Sequence, residues 1–339
     1  MNTAAFETFD VVVMGEILIE VATDQPFGHG VPARLGISGD ALNVAAAAAA
    51  AGARVGLLSV LTDDDLGQAI AARIAELGIV TDQLTFRRGQ QGVYLVHSDP
   101  DGEREFTYAR SGSVGSTLGP DDVDPDVFGA AGAVVAGGIT CAISTTARAA
   151  VVKAASAAKR FVYDPNYRPR LTTAVDAAAA LTELAAQAFL VTPSFPGETA
   201  ALLGVSSPEA SAAKLRSMGA ANVAVTCGAT GVQLEWSGET GVQSAWVPAI
   251  PAPAVVDQTG AGDAFVGTLT ARLVLGDDFP TAVRYGAAAS SLVVGGKGGT
   301  GLIPTFEQTS AHAAATFPED CRTIDTNGPD GLGNEIHHG

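Results

Sequence analysis

The chain alternates between two hydrophobic rhythms. Short continuous apolar runs, Val11-Val12-Val13-Met14 first among them, have no polar face and predict strands covered on both sides. Between them, apolar residues return every three or four positions, the spacing of helices with one buried face. The pattern predicts a helix over 42–51, a strand over 55–60, a helix over 66–77, a strand over 133–136 and a helix over 145–158. It continues with a strand over 160–163, a helix over 174–188, a strand over 189–192, a helix over 207–218 and a strand over 222–226. A strand pair over 231–235 and 241–247, joined by a polar turn, precedes two closing helices over 263–275 and 279–294. Strand and helix in strict alternation predict a doubly wound α/β fold on a mostly parallel sheet.

Two segments break that rhythm. Residues 20–37 carry Pro26, Pro32 and several glycines without a period, while 91–96 and 105–109 are strand-like and flank Asp99-Pro100-Asp101-Gly102. Together they predict a small β-sheet, drawn from about 18–37 and 91–110, with a hairpin turn at 99–102, standing over a site as a lid. Residues 1–317 are expected to form one domain, and 318–339, with little to bury, a mobile tail. The alanine-rich run at 44–52 is too short for a membrane span, and the first ten residues lack the basic and apolar regions of a secretory signal.

Charge and composition remove several classes of function. Asp and Glu number 36 against 19 Lys and Arg, a formal charge of −17, which repels nucleic acid and anionic membrane. Cys141, Cys227 and Cys321 stand far apart and offer neither a disulfide framework nor a thiolate metal site, so the cytoplasm is the expected compartment. None of the five histidines falls in an H-E-x-x-H pattern.

The sharpest chemical feature is Asp257-Gln258-Thr259-Gly260-Ala261-Gly262-Asp263-Ala264-Phe265, a glycine-rich turn running into an alanine-rich helix. Free amides at a helix N-terminus, with the helix dipole behind them, make an anion site. Asp263 beside such a site has the chemistry of a general base for phosphoryl transfer, with Gly260, Ala261 and Gly262 holding the transferred group. Taken alone, the motif also fits a glycine turn capped by an aspartate.

It does not stand alone. Gly15-Glu16 after the first strand, Gly39-Asp40-Ala41-Leu42-Asn43, Asp63-Asp64-Asp65-Leu66-Gly67 and Gly260-Ala261-Gly262-Asp263 together resemble the signature regions of the pfkB (ribokinase-like) carbohydrate kinases, from about Val11 to about Phe306. That resemblance implies a three-layer α/β/α sandwich with a β-sheet lid, ATP as donor, Mg²⁺, and a sugar hydroxyl as acceptor. Gln91-Gly92-Val93-Tyr94-Leu95, residues 106–113, Gly138-Ile139-Thr140 and Asp164-Pro165-Asn166-Tyr167-Arg168-Pro169-Arg170 resemble the branch acting on 2-keto-3-deoxygluconate.

By the same resemblance Gly39, Asn43, Tyr94, Tyr108, Arg110, Ile139 and Arg168 surround the acceptor. Arg110 and Arg168 suit a sugar-acid carboxylate and the tyrosines suit apolar walls, although Arg168 and Arg170 also fit surface salt bridges. Thr226-Cys227-Gly228-Ala229-Thr230-Gly231 resembles a nucleotide loop, with Thr226, Gly228, Gly231 and Asp257 as its nucleotide-side residues, and also fits an ordinary turn. The family's Asn-x-x-Glu metal-linked pattern ends at Glu198, but Phe195 replaces its Asn. Gln258, Thr268 and Ala287 are further departures. The alternatives are a kinase for a neutral sugar such as fructose or ribose, and a silent sugar- or nucleotide-binding protein. No G-x-G-x-x-G follows the first strand, against a dinucleotide-binding dehydrogenase.

Overall fold

The structure, a computed structural model, describes residues 8–98, 104–238 and 241–317. Its strands in chain order are β1 (Val11–Met14), β2 (Leu18–Thr23), β3 (Arg34–Ser38), β4 (Val55–Thr62), β5 (Leu84–Arg87), β6 (Gly92–Ser98) and β7 (Arg104–Ala109). They continue as β8 (Ala133–Gly137), β9 (Phe161–Asp164), β10 (Ala188–Val191), β11 (Asn222–Thr226), β12 (Gly231–Gly238) and β13 (Gly241–Pro248). Nine form one sheet in the order β13-β12-β11-β10-β9-β8-β1-β4-β5, parallel from β11 to β5, with β12 and β13 antiparallel at one edge. The other four form a separate sheet in the order β3-β2-β6-β7.

The helices are α1 (Asp40–Ala50), α2 (Asp65–Glu76), α3 (Pro125–Ala130), α4 (Gly138–Ile143), α5 (Thr145–Ala157) and α6 (Ala174–Ala185). After them come α7 (Gly197–Leu203), α8 (Pro208–Ser217), α9 (Ala261–Val274), α10 (Phe279–Val293) and α11 (Phe306–Thr316). None is long and apolar enough to cross a membrane.

The continuous apolar run of β1 is explained by its place in the sheet. Successive side chains of a strand point to opposite faces. Val12 and Met14 enter a core with Val151 of α5, Leu184 of α6 and Leu215 of α8, whereas Val11 and Val13 enter one with Leu42 of α1, Ile70 of α2 and Leu269 of α9. Two helical layers therefore sandwich the sheet, and each fully buried Val or Leu contributes on the order of 1.5–3 kcal/mol.

The predicted strands and helices of the body all form, within a few residues at their ends. Elements without a full hydrophobic period of their own, β5, α3, α4 and α7, escape the pattern. Helix α11 escapes it too, being mostly small or polar and fixed by a capping box at Thr305. The 20–37 segment is more regular than its prolines suggest: β2 and β3 pair antiparallel from Leu18↔Ser38 to Ala22↔Arg34, and both prolines lie in the connection. The predicted turn at 99–102 lies outside the described residues, as does the segment 318–339 with Cys321, His337 and His338.

Candidate active site

Parallel sheets gather ligands at the carboxyl ends of their strands. There the chain leads into α1, α4 and α9, whose N-caps are Gly39, Gly137 and Gly260, none with a side-chain cap. By contrast Asp64, Ser144, Thr173, Ser207 and Asp278 cap the N-termini of α2, α5, α6, α8 and α10. The first turns of α4 and α9 thus carry no N-cap side chain, whereas at the start of α1 the Asp40 carboxylate accepts from backbone amides of its own turn.

The turn before α9 is held from below. Asp257 accepts from the amides of Thr259 (2.7 Å) and Gly298 (2.9 Å), tying the turn to the glycine-rich run 295–301. Gly260 takes φ 83°, a left-handed conformation that glycine adopts without strain. A Cβ on Gly262 would meet nothing within 4 Å, so the amide face opens onto free space. Gln258 is exposed beside it.

Asp263, in the first turn of α9, is half-buried, and its Oδ2 accepts from Asn43 Nδ2 of α1 at 2.7 Å. Burial, with Asp40 nearby, pushes its carboxyl up to about 7, while the Asn43 hydrogen bond and Arg168 pull the other way. Asp40 and Asp164 are also raised, chiefly by burial; Arg110 and Arg168 oppose the rise at Asp40, and Glu198 and Asp263 add to it at Asp164. A carboxyl that titrates near neutrality beside free amides can take a proton from a bound hydroxyl and return it to solvent.

The lid presents a row of rings. Tyr94 lies 6.1 Å from Phe106 and 5.9 Å from Tyr108 between centroids. Tyr94 is buried and its hydroxyl donates to Glu20; burial and that carboxylate hold it well above the usual phenol range. Tyr108 is exposed. Between the lid and the loops 255–259 and 297–301 runs a cleft of about 780 Å³, bordered by Glu20, Phe106, Asp257 and Gly299. Across it Thr300 Oγ1 donates to Ile37 O (3.1 Å) and Lys297 pairs with Asp24 (3.2 Å).

Other expected site residues have partners of their own. Arg110, expected at the acceptor, forms an ion pair with buried Glu16 through one nitrogen of its guanidinium. Arg168 is exposed and donates to Tyr167 O at 3.3 Å; Ile139 shares a small recess with it. Arg170 donates to Phe106 O (2.8 Å), bracing the lid, and forms no salt bridge among the described residues. Glu198 is buried and accepts from the amides of Tyr167 (2.6 Å) and Ser194 (2.7 Å), which makes it a brace between loops. Among the described residues no cluster of three or more His, Cys, Asp or Glu could by itself hold a metal ion. Thr226, Gly228 and Gly231 lie at the carboxyl end of β11 and the start of β12, with Thr226 bridged to Ser194.

In the sequence, Glu16, Asp40 and Asp164 stand within motifs without an assigned role, and Glu20 and 295–301 stand outside them. The last had a visible signal, five glycines in seven residues just after a predicted helix.

Residues 8–305 match the model of the pfkB family of carbohydrate kinases. The chain belongs to that family and is a phosphotransferase acting on a sugar hydroxyl. It is 35% identical over 301 residues to 2-dehydro-3-deoxygluconokinase of Thermoproteus tenax, covering 87% of this chain and 91% of that one. A 2-dehydro-3-deoxygluconokinase of Bacillus subtilis is 28% identical over 288 residues, covering 83% and 87%. The solved PfkB protein from Polaromonas sp. JS666 superposes with a TM-score of 0.80 at 30% identity, covering 90% of this chain and all of that one (100%).

Proposed function

We propose that this chain transfers the γ-phosphoryl group of ATP to a hydroxyl of 2-keto-3-deoxygluconate, the sugar acid that its 2-dehydro-3-deoxygluconokinase relatives are named for. The observation that carries the chemistry is the Asp263–Asn43 contact beneath the uncapped Gly260-Ala261-Gly262 turn. Asn43 orients the carboxylate, the acceptor hydroxyl gives Asp263 its proton, and the turn amides stabilise charge on the transferring group. Arg168 pairs with the acceptor carboxylate, and Tyr94 and Tyr108 form the wall above it. Gly39 and Ile139 border the acceptor, and Thr226, Gly228, Gly231 and Asp257 serve the nucleotide side.

Mg²⁺, which keeps several waters and needs only one or two carboxylates, would be held by the nucleotide phosphates with Glu198 as the protein carboxylate. Bound there, it would neutralise charge on the nucleotide phosphates, while the two amides donating to Glu198 hold its carboxylate in place. Cysteine usage supports a cytoplasmic setting, and the open lid edges β3 and β7 support a homo-oligomer.

A neutral-sugar kinase is the second reading, favoured by one observation: Glu16 neutralises Arg110, and Asp40, Asp164 and Asp263 crowd the site with carboxyls. ADP release with ATP and Mg²⁺ separates the two, using 2-keto-3-deoxygluconate, fructose, ribose and no acceptor. Strong stimulation by the sugar acid alone supports the first reading. Stimulation by fructose or ribose alone replaces it with the second, and nucleotide binding without turnover on any acceptor favours a silent binding protein.

A further inference from the structure

Glu16 is a buried charge that the phosphoryl-transfer chemistry does not use. It follows β1 and is 1% exposed. Its Oε1 accepts from Ser113 Oγ and its Oε2 pairs with the Arg110 guanidinium. Arg110 directly follows β7, and its side chain is only 12% exposed. The carboxylate is enclosed by two glycines: a Cβ on Gly92, at the start of β6, would lie 2.8 Å from Oε1, and one on Gly115 would overlap Cγ. Three pieces of chain therefore close on one carboxylate: the end of the body strand β1, the first residue of the lid strand β6, and the turn by which β7 returns to the body.

An isolated buried carboxylate is costly unless paired. Here the partner is a lid arginine whose charge also bears on Asp40 at the acceptor side. The guanidinium carbon lies 5.9 Å from the Tyr108 ring, and Arg110 Nε has no hydrogen-bond partner among the described residues. Glu16 thus engages one end of the arginine fork, while Nε lies buried without a partner among the described residues.

We propose that Glu16 is the positioning residue of the lid root: with Ser113 it locks β7 to the end of β1 and fixes the Arg110 guanidinium where a carboxylate acceptor uses its remaining donors. The second half of this rests on the sugar-acid reading; the first half does not. Removing the charge at Glu16 loosens the arginine, and the loss falls on sugar-acid binding instead of on phosphoryl transfer.

The test compares full-length wild type, Glu16→Gln, Glu16→Asp and Ser113→Ala with 2-keto-3-deoxygluconate and with fructose. In Glu16→Gln the KM for the sugar acid rises about tenfold, with kcat and any fructose KM within about twofold of wild type, and Glu16→Asp recovers part of the loss. An equal loss on both acceptors, or an unchanged or lower sugar-acid KM, overturns the positioning of Arg110. If wild type leaves the sugar acid untouched, the substrate reading has failed by itself, and hydrogen exchange decides the lock. The Ser113 and Val114 amides, bonded to Arg110 O (3.1 Å) and Gln90 O (2.9 Å), then exchange at least about tenfold faster in Glu16→Gln, with β1 unchanged. Should that variant not fold, Ser113→Ala is read by the same exchange; unchanged rates at Ser113 and Val114 overturn the lock.

Discussion

At the scale of single residues, the site is a set of half-buried carboxyls, Asp40, Asp164 and Asp263, whose charges act on one another. Asp263 binds its proton more tightly in the fold, at about 7, than its ordinary value of 3.8. Between those values the folded chain holds more protons than the unfolded one, so this group's contribution to stability falls as pH rises through that window. Asp263→Asn removes the burial cost of the charge while Asn43 still finds an acceptor. Thermal unfolding should therefore show the variant more stable than wild type at pH 8, by about 2 °C or more, and the gain should vanish near pH 4. A lower melting temperature at pH 8 would contradict the burial of that charge. Asp40 is the charged neighbour that raises Asp263 most. Replacing it by Asn should move the acid limb of the kcat/KM profile, which follows the deprotonated base, to lower pH. A limb that stays in place or moves up would remove Asp40 from that role.

At the scale of elements, the base and its orienting amide belong to two helices that must lie close together. Gly267 on α9 allows this, since a Cβ there would overlap Val44 O and lie 3.0 Å from the Ala47 side chain of α1. Glycine inside a helix costs backbone entropy, and close approach is what justifies it here. Gly267→Ala should lower stability by about 1–3 kcal/mol in urea titration and also depress kcat, because parting the helices stretches the Asn43–Asp263 contact. Full stability in that variant would show that α1 has room to move. The alanine-rich composition of both helices was visible in the sequence. Which glycine sets the approach was not, because that depends on a neighbour more than two hundred residues away in sequence.

At the scale of the whole molecule, continuous apolar runs disclosed the parallel sheet, and the broken rhythm disclosed a second sheet above it. The glycine turn and Asp263 were legible because their chemistry is local. The partners of Arg110, Arg170 and Glu198 were not, since Glu16, Phe106 and the amides of Ser194 and Tyr167 reach them only through the fold. The formal charge of −17 also acts at this scale. Like charges repel in the compact state and salt screens them. The melting temperature should rise between about 20 mM and about 300 mM NaCl, and a fall would mean that local ion pairs outweigh the net charge.

Everything proposed for the site turns on Asp263 taking the proton of the acceptor hydroxyl. The most direct test is single-turnover phosphoryl transfer by wild type and Asp263→Asn at pH 8, with ATP, Mg²⁺ and the acceptor found by ADP release, after both ligands are shown to bind the variant. The expected result is a rate lower by at least about a hundredfold with binding retained. Transfer at a near-wild-type rate would contradict the assignment of Asp263 as the base.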